Sequence, residues 1–452
     1  LGDQPDWLAE FTSSLDSDKA LFRAVVLTAY AHFFHLLERE IVPKNAYHVL
    51  TWLREALKRE GEILSGEYED VHEALEAWLL EKAGKNAGWL AYGKSRNDQV
   101  ATALRLVLRW KLIGLLWELN RLRGSLLDSA ERHLNVKIPL FTHLQPAQPS
   151  LASHYLLYVE GEVFHHYRTI WHVLREVVDL CPLGSGPVAG SSVPLNRGRL
   201  AELLGFSGVE SNTLLATGSR TFASLSVGTV ASLMVVLSRV AEDLVIWSTP
   251  QFSLVELPQE HISTSSIMPQ KRNAVTLELI RAKAGTVIGS LISLLTVTKG
   301  IPSGYNLDLQ EANLHMLIPV EEATSSARVL ADLMKGIKFK EIVVPDTLAQ
   351  DIAERLARER EITYREAHSL LASTLREVGW DLLKAADKLG VDVPDVEDVL
   401  RERGRGAPNP ELLTKEIESR RRLLRDDIER LASYEEEKVE AERSLLSMGV
   451  GD

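Results

Sequence analysis

Val230-Ala231-Ser232-Leu233-Met234-Val235-Val236-Leu237-Ser238-Arg239-Val240-Ala241-Glu242-Asp243-Leu244-Val245-Ile246-Trp247 is the most apolar run of this chain, and its reading decides the fold. A run of this length approaches what a bilayer span needs. Arg239, Glu242 and Asp243 lie inside it, with Ser232 and Ser238. Three charges cost too much for a simple lipid-facing helix, so no membrane-crossing segment is expected. A helix apolar nearly all round belongs instead at the centre of a bundle.

The same periodicity continues on both sides. Apolar residues recur at three- and four-residue steps over 21–38, 46–58, 100–120, 150–180, 229–248, 276–298 and 312–335. Five of these segments reach twenty residues or more, well beyond the globular average of about 11–12. They predict an all-α protein built on long helices joined by loops. Pro182-Leu183-Gly184-Ser185-Gly186 and Gly300-Ile301-Pro302-Ser303-Gly304 are breaks. After Pro345 the pattern turns to shorter, charged helices over 348–360 and 364–378, with a final amphipathic helix over 415–431. The only strand candidate is 339–344. A chain of 452 residues exceeds one hydrophobic core. The expected division is an N-terminal helical domain (1–97), a central long-helix bundle (98–345) and a small C-terminal helical domain (346–452).

The net charge of -12 argues against binding nucleic acid through its phosphates. A small anionic substrate still fits, because a few focused cations outweigh the global sign locally. Cys181 is the one cysteine, so no intrachain disulfide can form, and a cytoplasmic setting is expected. The chain opens on Leu1 rather than Met, which suggests a trimmed start.

Four polar strings stand at or near the ends of the long helices. Thr264-Ser265-Ser266-Ile267-Met268-Pro269-Gln270-Lys271-Arg272-Asn273 gathers hydroxyls, cations and carboxamides ahead of a helix that carries Glu278. Such a loop suits an anion or developing negative charge. Ser95-Arg96-Asn97-Asp98-Gln99 offers a forked donor and an amide to a carboxylate; taken alone, Arg96 and Asp98 read equally well as a surface pair and N-cap. Thr142-His143-Leu144-Gln145-Pro146-Ala147-Gln148-Pro149 sets a histidine in a rigid turn that fixes its orientation. Tyr305-Asn306-Leu307-Asp308-Leu309-Gln310-Glu311 heads another helix, where plain capping by Asn306 or Asp308 is the competing reading. The thirteen histidines show no metal-ligand spacing, so no metal is expected.

Together, SRNDQVAT, THLQPAQP, SSIMPQKRN and GYNLDLQE resemble the motifs of argininosuccinate lyase, in the fumarase/aspartase superfamily. The likeness extends to Glu69-Asp70-Val71-His72, Pro182–Gly186 and Tyr364-Arg365-Glu366-Ala367-His368. It implies a three-domain superfamily lyase whose central bundle contributes to a twenty-helix homotetramer core, with each active site assembled from three subunits. It implies cleavage of argininosuccinate to arginine and fumarate, in arginine biosynthesis, without metal or organic cofactor. Ser265 matches the catalytic serine on a mobile loop, and Lys271 and Asn273 match donors to the aci-carboxylate intermediate. His143 matches the partner acid/base group, positioned by Glu278. Which of Ser265 and His143 removes the carbon-bound proton is open at this point; we take Ser265 as the base. Ser14, Arg96, Asn97, Thr142, Tyr305 and Gln310 match substrate-binding positions.

The chain departs from the family pattern in three places. Ala91-Tyr92-Gly93-Lys94 replaces His-Thr-Gly-Arg, Asn313 replaces a substrate-contacting Lys, and Thr264 replaces a Gly. These changes leave the elimination machinery in place and bear on how the arginine-side carboxylate is held. The rival readings are another superfamily lyase such as adenylosuccinate lyase, against which SRNDQ argues, and a non-catalytic relative, against which Ser265, Lys271, His143 and Glu278 argue.

Overall fold

The computed structural model describes residues 6–449. Eight helices carry the architecture: α1 (Phe22–Glu38), α2 (Val71–Ala83), α3 (Arg96–Arg132), α4 (Ala152–Val173), α5 (Thr221–Trp247), α6 (Val275–Thr298), α7 (Asp308–Gly336) and α8 (Pro410–Ser447). α3 is central, with α7, α4, α8 and α1 packed along it. α5 and α6 lie together, and both also meet α7. Leucines and valines fill the shared core, including Leu104, Leu108, Leu115, Leu119 and Leu126 of α3 and Val230, Leu233 and Leu237 of α5.

Sequence explains where the long helices start. Ser95 caps α3 through a reciprocal capping box with Asp98. Asn409 caps α8, and Pro410 stands where its missing N–H costs nothing. Both helices outrun their sequence patterns. α3 reaches Arg132 rather than residue 120, and α8 spans 38 residues rather than 415–431. α3 continues on the buried Leu122, Leu126 and Leu127, and for α8 the reason is buried charge. Arg123 of α3 donates to Glu160 of α4 at 2.9 Å and to Asp427 of α8 at 2.8 Å. Asp179 receives Arg109 at 2.9 Å and the Tyr434 hydroxyl at 2.7 Å. Apolar periodicity cannot show a helix face held by ion pairs, so α8 reads in sequence as a short charged element.

The strand content also differs from expectation. Lys338–Phe339 is a strand, pairing with Val255–Glu256, but three further pairs of short strands exist among the described residues. The longest is the antiparallel ribbon of β1 (Lys137–Thr142) and β2 (Gln145–Leu151). Each strand of a two-stranded ribbon keeps a free edge, so Pro139, Pro146 and Pro149 fit without a backbone donor. The helix expected from residue 150 therefore begins at Ala152.

Three segments are long and apolar enough to cross a membrane by length and composition alone: Glu10–Glu38, Thr221–Trp247 and Val275–Thr298. Within the chain, 83% of the first segment's most apolar window is buried but only 22% of the last. α6 thus presents an apolar face, with Leu279, Ile288, Ile292 and Leu295 all exposed.

Candidate active site

The first part of the site forms where the N-terminal segment, α2, the start of α3 and the loop before α7 meet. Ser95 fixes the first turn of α3, and Asp98 anchors it from beneath. The buried Asp98 carboxylate accepts from the backbone N–H of Ser95 at 2.9 Å, Gly184 at 3.0 Å and Gly186 at 2.9 Å. SRND and the Pro182–Gly186 break are therefore one structure. Arg96 then pairs with Asp70, the N-cap of α2, and lies 3.8 Å from Glu76. The Asn97 amide donates to the Pro187 carbonyl at 3.0 Å.

Ser14 joins this cluster. Its backbone N–H donates to the Glu69 carbonyl at 2.8 Å, and its hydroxyl donates to Asp18 at 2.5 Å. Burial pushes Asp18 up to about 6; the Ser14 hydroxyl opposes the shift, the nearby Asp70 charge adds to it and Arg96 opposes it. Tyr305 is raised chiefly by burial, against the pull of Arg220, with Asp18, Asp70 and Glu69 adding to the rise. Gly304, next to Tyr305, packs against Gly218, two residues before Arg220. Beneath them, burial holds His72 at about 3 and Lys94 at about 8. Carboxylates, an arginine and a tyrosine gathered in one cluster suit a zwitterionic amino-acid group, with ammonium on the carboxylates and carboxylate on the cation.

The second part is the tip of the β1–β2 ribbon. Thr142 pairs with Gln145, leaving His143 and Leu144 as a two-residue turn. Both have positive φ, 53° and 59°, as a type I′ hairpin turn requires. Neither is glycine, so the ribbon imposes a conformation costing on the order of 1–3 kcal/mol per residue. Thr142 and His143 are exposed there.

The third part is the Ser265 loop. β3 (Ser263–Thr264) pairs with β4 (Arg272–Asn273), and residues 265–271 form the projecting loop between them. Thr264 stands in extended backbone opposite Arg272, where a β-branched residue is at home and no glycine is needed. Ser265 and Asn273 are half-buried, Lys271 is exposed, and Glu278 is exposed in the first turn of α6. Gln310 is half-buried in the first turn of α7.

Ser14, Arg96, Asn97 and Tyr305 thus come together within one chain, whereas the catalytic candidates do not. Among the described residues no hydrogen bond or ion pair joins His143 to Glu278, or Ser265 and Lys271 to the Arg96 cluster. Asp18, Asp70, Lys94 and Arg220 were not legible as site residues in sequence. Asp70 lies within the Glu69–His72 string and Lys94 directly precedes SRND, but Asp18 and Arg220 carry no local signal. One His/carboxylate group, Glu260, His261 and Asp332, has geometry that could hold a metal ion. His261 also meets Thr276 at 3.1 Å, at the root of the Ser265 loop.

Comparison with known proteins sets this arrangement in a family. A lyase family model matches residues 3–289. The chain is 40% identical to the argininosuccinate lyase of Sulfurisphaera tokodaii over 96% of its own length and 94% of that protein. It is 37% identical to that of Sulfolobus acidocaldarius over 97% and 95%. The chain belongs to the argininosuccinate lyase family. The structure of EDDS lyase in complex with formate is similar, with a TM-score of 0.83 at 25% identity over 98% of this chain and 94% of that one. The class II fumarase of Schistosoma mansoni shares the fold, with a TM-score of 0.73 at 16% identity over 85% and 91%.

Proposed function

We propose that this chain is an argininosuccinate lyase that eliminates L-arginine from argininosuccinate to leave fumarate, reversibly, as a step of arginine biosynthesis. The observation that carries the reading is near-full-length similarity to named argininosuccinate lyases in a chain that keeps all four polar strings. The Ser14–Asp70–Arg96–Tyr305 cluster supports it, because the arginine end of the substrate is the amino-acid group that such a cluster suits.

In this reading Ser265 takes the proton from the carbon next to the succinyl carboxylate. The electron pair passes into that carboxylate as an aci-anion, which Lys271 and Asn273 stabilise. Its collapse forms the fumarate double bond and breaks the C–N bond, and the departing guanidino nitrogen takes a proton from His143. Glu278 orients His143 and stabilises its charged form. Thr142, Asn97, Arg96 and Gln310 hold the substrate. A serine needs help to act as a base, and the Lys271 ammonium supplies it.

Because His143 and Glu278 are unpaired within one chain, we propose that they meet across subunits of a homotetramer. The exposed apolar face of α6, with Leu225 and Val235 on α5 and Leu314 and Ile318 on α7, is the kind of surface that marks an interaction site. A second copy of this bundle covers it in this reading, which places the enzyme in the cytoplasm rather than in a bilayer. The test is fumarate absorbance on adding argininosuccinate to chelator-treated protein. No absorbance change, while light scattering shows an assembled protein, would overturn the assignment.

A further inference from the structure

The strand that leads into the Ser265 loop is preceded by a short 3₁₀ turn, Gln259–His261. Two contacts dock this turn on the end of α7. Pro258 packs on Gly336 so tightly that an added Cβ would lie 2.9 Å from its ring. Val255–Glu256 pairs with Lys338–Phe339 just beyond the helix. Asp332 stands one helical turn before Gly336, and there Glu260, His261 and Asp332 converge, with one donor atom from each within 4.8 Å of the others. Among the described residues no other trio of histidine, cysteine or carboxylate groups is placed so. Residues 260–261 and 332 are too far apart in the chain for ligand spacing to show in sequence.

His261 sets this group apart from an ordinary acidic surface. It is only 5% exposed, and its Nδ1 is engaged by the Thr276 hydroxyl at 3.1 Å. Its Nε2 lies 3.5 Å from Oδ2 of Asp332 yet makes no hydrogen bond. A buried ring nitrogen without a partner is costly. The other Asp332 oxygen receives the Lys335 ammonium at 3.0 Å, so Oδ2 is the atom left facing the ring. A spacing of 3.5 Å is long for a hydrogen bond but fits two ligands of one ion. Zinc holds nitrogen at about 2.0–2.1 Å and carboxylate oxygen at about 2.0–2.2 Å, which in a tetrahedron puts the two roughly 3.3–3.5 Å apart.

We infer that Glu260, His261 and Asp332 form a binding site for a divalent transition-metal ion of the zinc class. His261 Nε2 and one oxygen of each carboxylate are the ligands, and water completes the shell from the open side, where Glu260 is exposed. Thr276 orients the imidazole from behind and Lys335 fixes the Asp332 carboxylate, as outer partners of metal ligands do. An imidazole ligand favours zinc-like ions over magnesium and calcium, which take oxygen. The bound ion ties the strand entering the Ser265 loop to α7. It takes no part in the proposed elimination, and the inference does not depend on that reaction.

The experiment titrates the untagged, chelator-treated full chain with Co²⁺, read by its visible absorption, and with Zn²⁺ by calorimetry. Wild type should take up one ion per chain, with a cobalt spectrum that Zn²⁺ erases and excess Mg²⁺ does not. Thr276→Val removes only the orienting hydroxyl and should weaken binding roughly 10- to 100-fold. His261→Phe and Asp332→Asn remove ligands and should weaken it further. If His261→Phe does not fold, Asp332→Asn and Glu260→Gln, both at exposed positions, carry the test. A wild type that takes up no Co²⁺ overturns the inference and leaves His261 and Asp332 as an ion pair only. Equal affinity in wild type and every variant overturns it too, because the ion then sits on other histidines. Both readouts are of binding, so failure of argininosuccinate cleavage bears on the lyase reading alone.

Discussion

Replacing Lys94 with methionine should stabilise this protein at neutral pH. The Lys94 side chain is almost wholly buried, and its ammonium has no hydrogen-bond partner. The nearest carboxylate, Glu76, is 3.7 Å away, beyond hydrogen-bonding distance. Burial pushes Lys94 from its ordinary 10.5 down to about 8, with Glu76 and Asp98 opposing the shift and Arg96 adding to it. The depression of about 2.5 pH units corresponds to about 3 kcal/mol at about 1.36 kcal/mol per unit. A cation with a depressed folded-state pKa binds fewer protons folded than unfolded at intermediate pH. Stability is therefore lowest below pH 8 and rises as pH climbs from about 8 toward 10.5. Methionine fills similar volume without the charge, so Lys94→Met should gain about 3 kcal/mol at pH 7 and no advantage by about pH 10.5. Denaturant unfolding of both proteins at several pH values measures the difference and cancels other titrating groups. A variant less stable than wild type at pH 7, or a gap independent of pH, would refute the reasoning.

The remaining predictions concern the proposed site and assembly. Ser265→Ala should lower turnover by about 10²–10⁴-fold with assembly intact, as loss of a proton-transfer group does; near-normal single-turnover rates would remove Ser265 from the role of base. Arg96→Ala and Lys271→Ala, each inactive alone, should restore measurable fumarate release when co-refolded, because some mixed sites receive only wild-type segments. If neither this pair nor others across the four strings recover while each variant assembles, the shared-site proposal fails. Ile292→Lys places a charge on an α6 residue that is 59% exposed in the single chain, and should shift light scattering from tetramer toward smaller species. Burial of one isoleucine per copy is worth roughly 1.5–3 kcal/mol, and an unchanged assembly would mean that this face lies outside the interface.

The helical class, the long central helices and the family were all legible in the sequence. Period-3.6 patterning needs only local order, and the four polar strings are contiguous. Helix ends were less legible where ion pairs rather than apolar residues hold the face, as Arg123 with Glu160 and Asp427 shows for α8. The β1–β2 ribbon escaped because its prolines read as a loop, and only pairing with residues 137–142 makes it a strand. Local pattern alone therefore determined the fold and which residue types stand as candidates for the chemistry. Tertiary structure decided their partners: Ser14 with Asp18, Arg96 with Asp70, Asp98 beneath the Gly184–Gly186 turn, and a buried Arg220 with no carboxylate to answer it. Burial and charge pairing depend on residues tens to hundreds of positions apart, which only the folded chain brings together.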